Sequence, residues 1–191
     1  MSEKQNDKVK TQSEIVREQY TLDEIQQLIQ EFNQKKEPPR GKIKVLYVDD
    51  ELTALKSFKA LFRRDYDIFI ANSAEEGRSV LKKHAVEVII TDQRMPEETG
   101  SEFLTSILKE YPGPIRILLT GYSDIDAVIN AINEGKIYRY MPKPYRSEEM
   151  KQVIDNAAEV FDLRKAKEEL TQVALRANQQ LEFMLRQKLL D

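Results

Sequence analysis

The sequence predicts an α/β domain with a five-stranded parallel sheet in order 2-1-3-4-5, continued by a long C-terminal helix or coiled coil. Three observations carry this. From 43 to 161, short β-branched runs alternate five times with amphipathic segments, and regular βα alternation implies a parallel sheet with helices on both faces and right-handed crossovers. Four of the five apolar runs stop abruptly on polar residues, at Asp49-Asp50, Asp92, Thr120 and Lys143. After Ser147 there is no glycine or proline, and Ala, Glu, Lys, Leu, Gln and Arg dominate, all good helix formers.

In chain order, residues 1–20 are polar and mixed in charge, with Ile15, Val16 and Tyr20 as their anchors; such composition reads as flexible or disordered. Thr21-Leu-Asp-Glu24 has the form of a capping box, and Leu22, Ile25, Leu28, Ile29 and Phe32 follow at helical spacing, predicting an amphipathic helix over 21–36. Glu37-Pro-Pro-Arg-Gly41 ends it as a stiff linker, because proline disfavours helix in the residue before it. The apolar stripe of that helix packs back on its own domain, joins a dimer contact or docks a partner. Strands are predicted over 43–48, 67–71, 86–91, 115–120 and 137–141, and helices over 51–64, 73–83, 100–111, 123–134 and from 147 onward. Ser73-Ala-Glu-Glu76 is a second capping box, and Ser123 or Asp124 caps the fourth helix. Five such units fit the flavodoxin-like strand order. The division is therefore 1–20, 21–41, a main domain over 42–160, and a helical extension over 161–191.

That extension carries a heptad pattern. With Val153 as position a, the a series is Val153, Val160, Lys167, Ala174, Leu181 and Lys188, and the d series is Asn156, Leu163, Leu170, Ala177, Met184 and Asp191. Eight of the twelve are apolar, which suggests a coiled-coil seam interrupted at Lys167. A continuous helix from 147 would run ~66 Å at 1.5 Å per residue, far beyond the ~14 Å radius of gyration of such a domain. A parallel homodimer or a break near Thr171 with the last segment folded back would each cover the stripe.

Composition excludes several function classes. The net charge is −3, with 33% of residues charged, and nucleic-acid surfaces need clustered Lys and Arg. With no cysteine there is no disulfide framework and no thiolate metal site. The N-terminus is polar and no 18-residue apolar run occurs, so neither a secretory signal nor a membrane span is expected and the location expected is cytoplasmic.

In open α/β sheets, ligands bind beyond the carboxyl ends of the strands, which is where the polar residues fall. If those ends converge, three carboxylates, a hydroxyl and an ammonium share one cleft, a set suited to phosphoryl transfer. Singly these residues are ordinary: Asp49 and Asp50 as strand-end turn residues, Asp92 as a loop cap, Tyr140 as a half-buried strand aromatic. His84 follows Lys82-Lys83 at a helix end and reads as solvated.

Taken together, Val48-Asp-Asp-Glu51, Thr91-Asp-Gln-Arg-Met-Pro96 with Gly100, Leu119-Thr-Gly-Tyr122 and Tyr138-Arg-Tyr-Met-Pro-Lys-Pro144 resemble the receiver domain of bacterial two-component response regulators, over 43–160. The Leu-Thr-Gly-Tyr and Ala131–Tyr140 wording is similar to the hydrogenase-type and HD-GYP phosphodiesterase subgroup. The resemblance implies that Asp92 is the nucleophile, taking a phosphoryl group from a cognate histidine kinase as an acyl phosphate. It implies Mg²⁺ as cofactor, with Asp50 bound directly, Asp49 through water, and Asp92 and the Arg94 carbonyl completing the protein set. Lys143 would neutralise phosphoryl oxygens, Thr120 would donate to one with help from the Gly121 amide, and the Lys143–Pro144 bond would be cis. Thr120 and Tyr140 would form the switch, remodelling the face of the fourth helix, fifth strand and fifth helix that leads into the C-terminal helix.

Arg94 and Tyr122 stand two residues after Asp92 and Thr120, where both side chains would overhang the acyl phosphate. Slow autodephosphorylation is expected. Beyond self-phosphorylation and this slow loss, no enzymatic activity is expected of the chain itself. Rival readings are the regulatory part of a larger cyclase, phosphodiesterase or phosphatase whose output domain or helical partner lies beyond Asp191, and a phosphorylation-independent coiled-coil scaffold. A hydrolase of the haloacid dehalogenase type would want a second aspartate where Arg94 stands. No helix-turn-helix or basic patch follows 146.

Overall fold

The computed structural model describes residues 41–121 and 137–188. The expected helices over 21–36 and 123–134, with their caps at Thr21 and Ser123 or Asp124, lie outside the described residues, as does Tyr122. Five parallel strands, β1 (Lys44–Val48), β2 (Asp67–Ala71), β3 (Val88–Asp92), β4 (Ile115–Thr120) and β5 (Arg139–Pro142), make one sheet in order β2-β1-β3-β4-β5. The crossover helices are α1 (Leu52–Phe62), α2 (Ala74–Lys83) and α3 (Gly100–Ile107), and the C-terminal helix spans Ser147–Lys188.

β3 and β4 are buried along their whole length, which is why their sequences read as continuous apolar runs rather than alternating ones. Each face of the sheet has its own core. Tyr47, Phe58, Ile90, Ile117, Met150 and Ile154 lie on the side of α1 and the C-terminal helix, and Leu46, Val48, Ile89, Phe103, Leu104 and Leu118 on the side of α2 and α3. Strand neighbours such as Leu46 and Tyr47 therefore feed opposite cores.

Local chemistry fixes the helix starts. Ser73 accepts from the Glu76 amide at 3.2 Å, but the Glu76 carboxylate accepts from the Asn72 amide at 2.7 Å rather than closing the box on Ser73. A complete capping box instead opens α3: the Thr99 hydroxyl accepts from the Glu102 amide and the Glu102 carboxylate from the Thr99 amide. α3 ends at Ile107, short of the expected 111, where Leu108 turns back on the Thr105 carbonyl ahead of Pro112.

The C-terminal helix runs unbroken over 42 residues, with no break at Thr171. Its first turns are core: Met150, Val153, Ile154, Ala157 and Ala158 are buried. Val153, the first a position of the expected seam, is thus consumed by the domain itself. Further along, Leu163 and Leu170 are 64% and 69% exposed. Among the described residues no helix is long and apolar enough to cross a membrane.

Candidate functional site at the strand ends

The carboxyl ends of β1, β3, β4 and β5 meet at one rim. Asp49 lies one residue past β1, still tied into the sheet because its amide donates to the Ala71 carbonyl at 3.1 Å. Its carboxylate is buried and fully engaged. Oδ1 accepts from the Glu51 amide at 3.0 Å, and Oδ2 accepts from the Tyr47 hydroxyl at 2.5 Å and from Lys143 Nζ at 2.8 Å.

Asp92 is the last residue of β3, paired in register with Leu119 of β4. Its Oδ2 accepts from the Arg94 amide at 2.8 Å, and its Oδ1 lies 2.5 Å from Lys143 Nζ. One ammonium therefore bridges two buried carboxylates from adjacent strands. The Lys143 amide donates to the Thr120 carbonyl at 2.8 Å, and the Lys143–Pro144 peptide is cis. Burial opposes the Lys143 charge, but Asp49 and Asp92 outweigh it and raise its pKa above the ordinary lysine value. Burial, reinforced by the bond to Asp49, pushes the Tyr47 hydroxyl up, so it stays a donor.

The other expected residues lie at the ends of the same strands and in the loops beside them. Thr120 is buried and its hydroxyl donates to the Gly121 carbonyl at 3.0 Å. Asp50 and the Arg94 side chain are exposed. Tyr140 is 44% exposed and lines a groove of about 250 Å³ with Arg139, Met141, Glu149 and Gln152. His84 is exposed and stacks on Phe69 at 4.3 Å.

The loop after Asp92 is held from both sides. Gln93 accepts from the Ser101 amide at 3.1 Å and donates to its hydroxyl at 3.2 Å. Glu97 takes a left-handed φ of 67°. Beside it the Glu98 carboxylate accepts from Arg78 Nη2 at 2.6 and 2.7 Å, while the Arg78 guanidinium lies 5.4 Å over the Phe103 ring. Gly100 lets α3 abut the strand, since a Cβ there would meet the Asp92 carbonyl oxygen.

Neither Tyr47 nor the Arg78–Glu98 clamp stood out in the sequence. For Tyr47 a signal existed, because residues i and i+2 of a strand share a face and Asp49 was already a candidate.

Among the described residues no three Asp, Glu, His or Cys side chains are gathered to hold a metal ion. Mg²⁺ needs less than that, using one or two carboxylates while keeping several waters. Asp49 and Asp92, converging on one cationic centre, supply that donor chemistry, so the residues fit a hard divalent cation.

A family profile described as the response regulator receiver domain matches residues 45–155. The chain is 31% identical over 124 residues to the hydrogenase transcriptional regulatory protein HoxA of Bradyrhizobium diazoefficiens, covering 65% of this chain and 26% of that protein. Its counterpart in Cupriavidus necator is 34% identical over 120 residues, covering 63% and 25%. The chain thus spans about a quarter of the length of these curated relatives. Among solved structures, a response regulator receiver domain protein from Clostridium thermocellum superposes with a TM-score of 0.60 at 34% identity, covering 63% of this chain and 98% of that one. The signal receiver domain of an HD domain-containing protein from Pseudomonas fluorescens Pf-5 gives 0.60 at 31%, covering 64% and 98%. A structure described as adenylate cyclase from Rhodopirellula baltica gives 0.67 at 29%, covering 69% and 98%.

Proposed function

The chain belongs to the response regulator receiver family, and from that premise we propose that it accepts a phosphoryl group on Asp92 and passes the change to its C-terminal helix. The observation that carries this reading is the Lys143 ammonium set between the buried carboxylates of Asp49 and Asp92. It puts positive charge beside the nucleophile where phosphoryl oxygens would gather.

In the proposed reaction an Asp92 carboxylate oxygen attacks the phosphorus of a kinase phosphohistidine. The new O–P bond forms as the P–N bond breaks, and the imidazole leaves with that electron pair. Asp49, Asp50, Asp92 and the Arg94 carbonyl would hold Mg²⁺, which when bound neutralises charge on the transferring group. Lys143 keeps its proton and pairs with a phosphoryl oxygen. Thr120 turns its hydroxyl from the Gly121 carbonyl toward another, which the Gly121 amide also binds. That movement would let the exposed Tyr140 ring move inward and remodel the β5–C-terminal-helix face, a phosphorelay switch by population shift. In this reading residues 42–160 are the receiver and 161–191 the relay helix, while the expected segments before residue 41 lie outside the described residues. Cytoplasmic residence and the absence of nucleic-acid or membrane contact belong to the same reading.

The exposed Leu163 and Leu170, seven residues apart on an unbroken helix, support a parallel homodimer as the receiving element. The greater length of the relatives favours a second reading, in which this segment regulates an output domain or helical partner. The test is incubation with a small phosphodonor and Mg²⁺, followed by mass spectrometry. A phosphoryl adduct on Asp92, absent in Asp92→Ala, supports the reading, and an unmodified Asp92 rejects it. Equal sedimentation with and without beryllofluoride would reject the dimer relay.

A further inference from the structure

We infer that Tyr47 is a positioning residue for the site: its hydroxyl fixes the Asp49 carboxylate toward Asp92 and Lys143 and so sets how readily the two acids take up a divalent cation. This rests on the receiver reading of the same site and adds a residue outside the set that reading uses.

The Asp49 carboxylate has three donors of unequal rigidity. The Glu51 amide is backbone, at 3.0 Å. Lys143 reaches in on a flexible stem whose side chain is 33% exposed, and it must reorient to meet any incoming anion. Tyr47 is the fixed side-chain donor. Its strand is paired on both edges, and its buried ring packs 4.3 Å from that of Phe58. The 2.5 Å hydroxyl–carboxylate bond is of the charge-assisted kind. When Lys143 swings away, Tyr47 and the Glu51 amide are what keep Asp49 from turning off the rim. Tyr145, two residues after Lys143, is half-buried and packs against the same core cluster as Tyr47, so that core also backs the loop that carries Lys143. Partners that orient a metal-binding carboxylate influence affinity strongly, their loss costing about 10–100-fold.

A buried tyrosine hydroxyl bonded to an aspartate could serve folding alone, and the chain supplies its own control. Tyr66 is buried and donates to Asp155 at 2.7 Å, on the C-terminal helix and outside the site. The experiment compares the full chain with Tyr47→Phe and Tyr66→Phe. Mg²⁺ affinity is read by calorimetry without any phosphodonor, and the Mg²⁺ dependence of Asp92 phosphorylation is read separately. Tyr47→Phe should raise the Mg²⁺ dissociation constant about tenfold, and saturating Mg²⁺ should recover most of the rate. Tyr66→Phe should lower Tm and leave Mg²⁺ affinity in place. A Tyr47→Phe affinity within about twofold of the parent, or an equal shift in Tyr66→Phe, overturns the inference. Should Tyr47→Phe fail to fold, tyrosine ¹³Cζ resonances of the parent decide. The Tyr47 signal should move on Mg²⁺ addition while that of Tyr66 stays, and a stationary Tyr47 signal overturns the inference. A parent chain that binds no Mg²⁺ and leaves Asp92 unmodified rejects the receiver reading instead.

Discussion

Gly100→Ala sets two physical effects of opposite sign against each other. At the first position of α3, alanine should help by up to about 1 kcal/mol on helix propensity. Yet a Cβ built there lies 2.1 Å from the Asp92 carbonyl oxygen, 2.9 Å from its carbonyl carbon and 2.9 Å from Leu118 Cδ1. The first contact is more than an ångström too short, and its partner is backbone at the end of the central strand, so it cannot rotate away. Overpacking of this kind costs about 1–3 kcal/mol, and the rigidity of the partner places this case at the upper end. The net expectation is a loss of about 2 kcal/mol, or a Tm lower by about 4–8 °C for a chain of this size. Because the displaced atoms belong to Asp92, phosphorylation should slow as well. Urea unfolding followed by far-ultraviolet circular dichroism gives the stability, with Gly41→Ala, which meets nothing within 4 Å, as the neutral control. A Gly100→Ala chain as stable as its parent would refute the close-approach argument.

Three further outcomes are expected. Tyr66, which burial and Asp155 push above its ordinary value of 10.0, keeps its proton in the fold where the unfolded chain has lost it. Its contribution is therefore complete below pH 10 and is lost as pH rises through the folded value; Tyr66→Phe should make the alkaline fall in stability shallower, and an unchanged slope in urea titrations would contradict this. Lys143→Met strands two buried carboxylates without their shared cation, so Tm should drop and Mg²⁺ should restore more of it than it adds to the parent; an equal Mg²⁺ gain in both chains would count against it. Arg94→Ala combined with Tyr122→Ala should shorten the lifetime of the phosphorylated chain, measured by its decay after donor removal, and an unchanged lifetime would remove the shielding role.

The sheet was legible because its strands are buried on both faces and spelled in β-branched residues. Their limits moved by no more than two residues: β3 closes at Asp92 rather than 91 because Asp92 still pairs with Leu119. The rim residues were legible because each ends a strand. Harder to read were features that depend on partners distant in sequence. Arg78 meets Glu98 across twenty residues and two elements, which no local period announces. Thr99 and Glu102 had the spacing of a capping box in plain view, at the start of the helix expected from 100, and the box itself went unread. Asp49 and Asp50 were indistinguishable as letters. Only the fold buries the first against Tyr47 and Lys143 and leaves the second exposed.

The unbroken helix that begins inside the core has a mechanical consequence. Its root, around Met150 to Ala158, is gripped by the sheet, and from there to Lys188 no joint interrupts the backbone. Those thirty residues make a lever of about 45 Å at 1.5 Å per residue. A tilt of roughly ten degrees at the fulcrum would carry the tip about 8 Å at that length. Small adjustments at the root would thus be magnified by leverage alone, with no rearrangement along the rod.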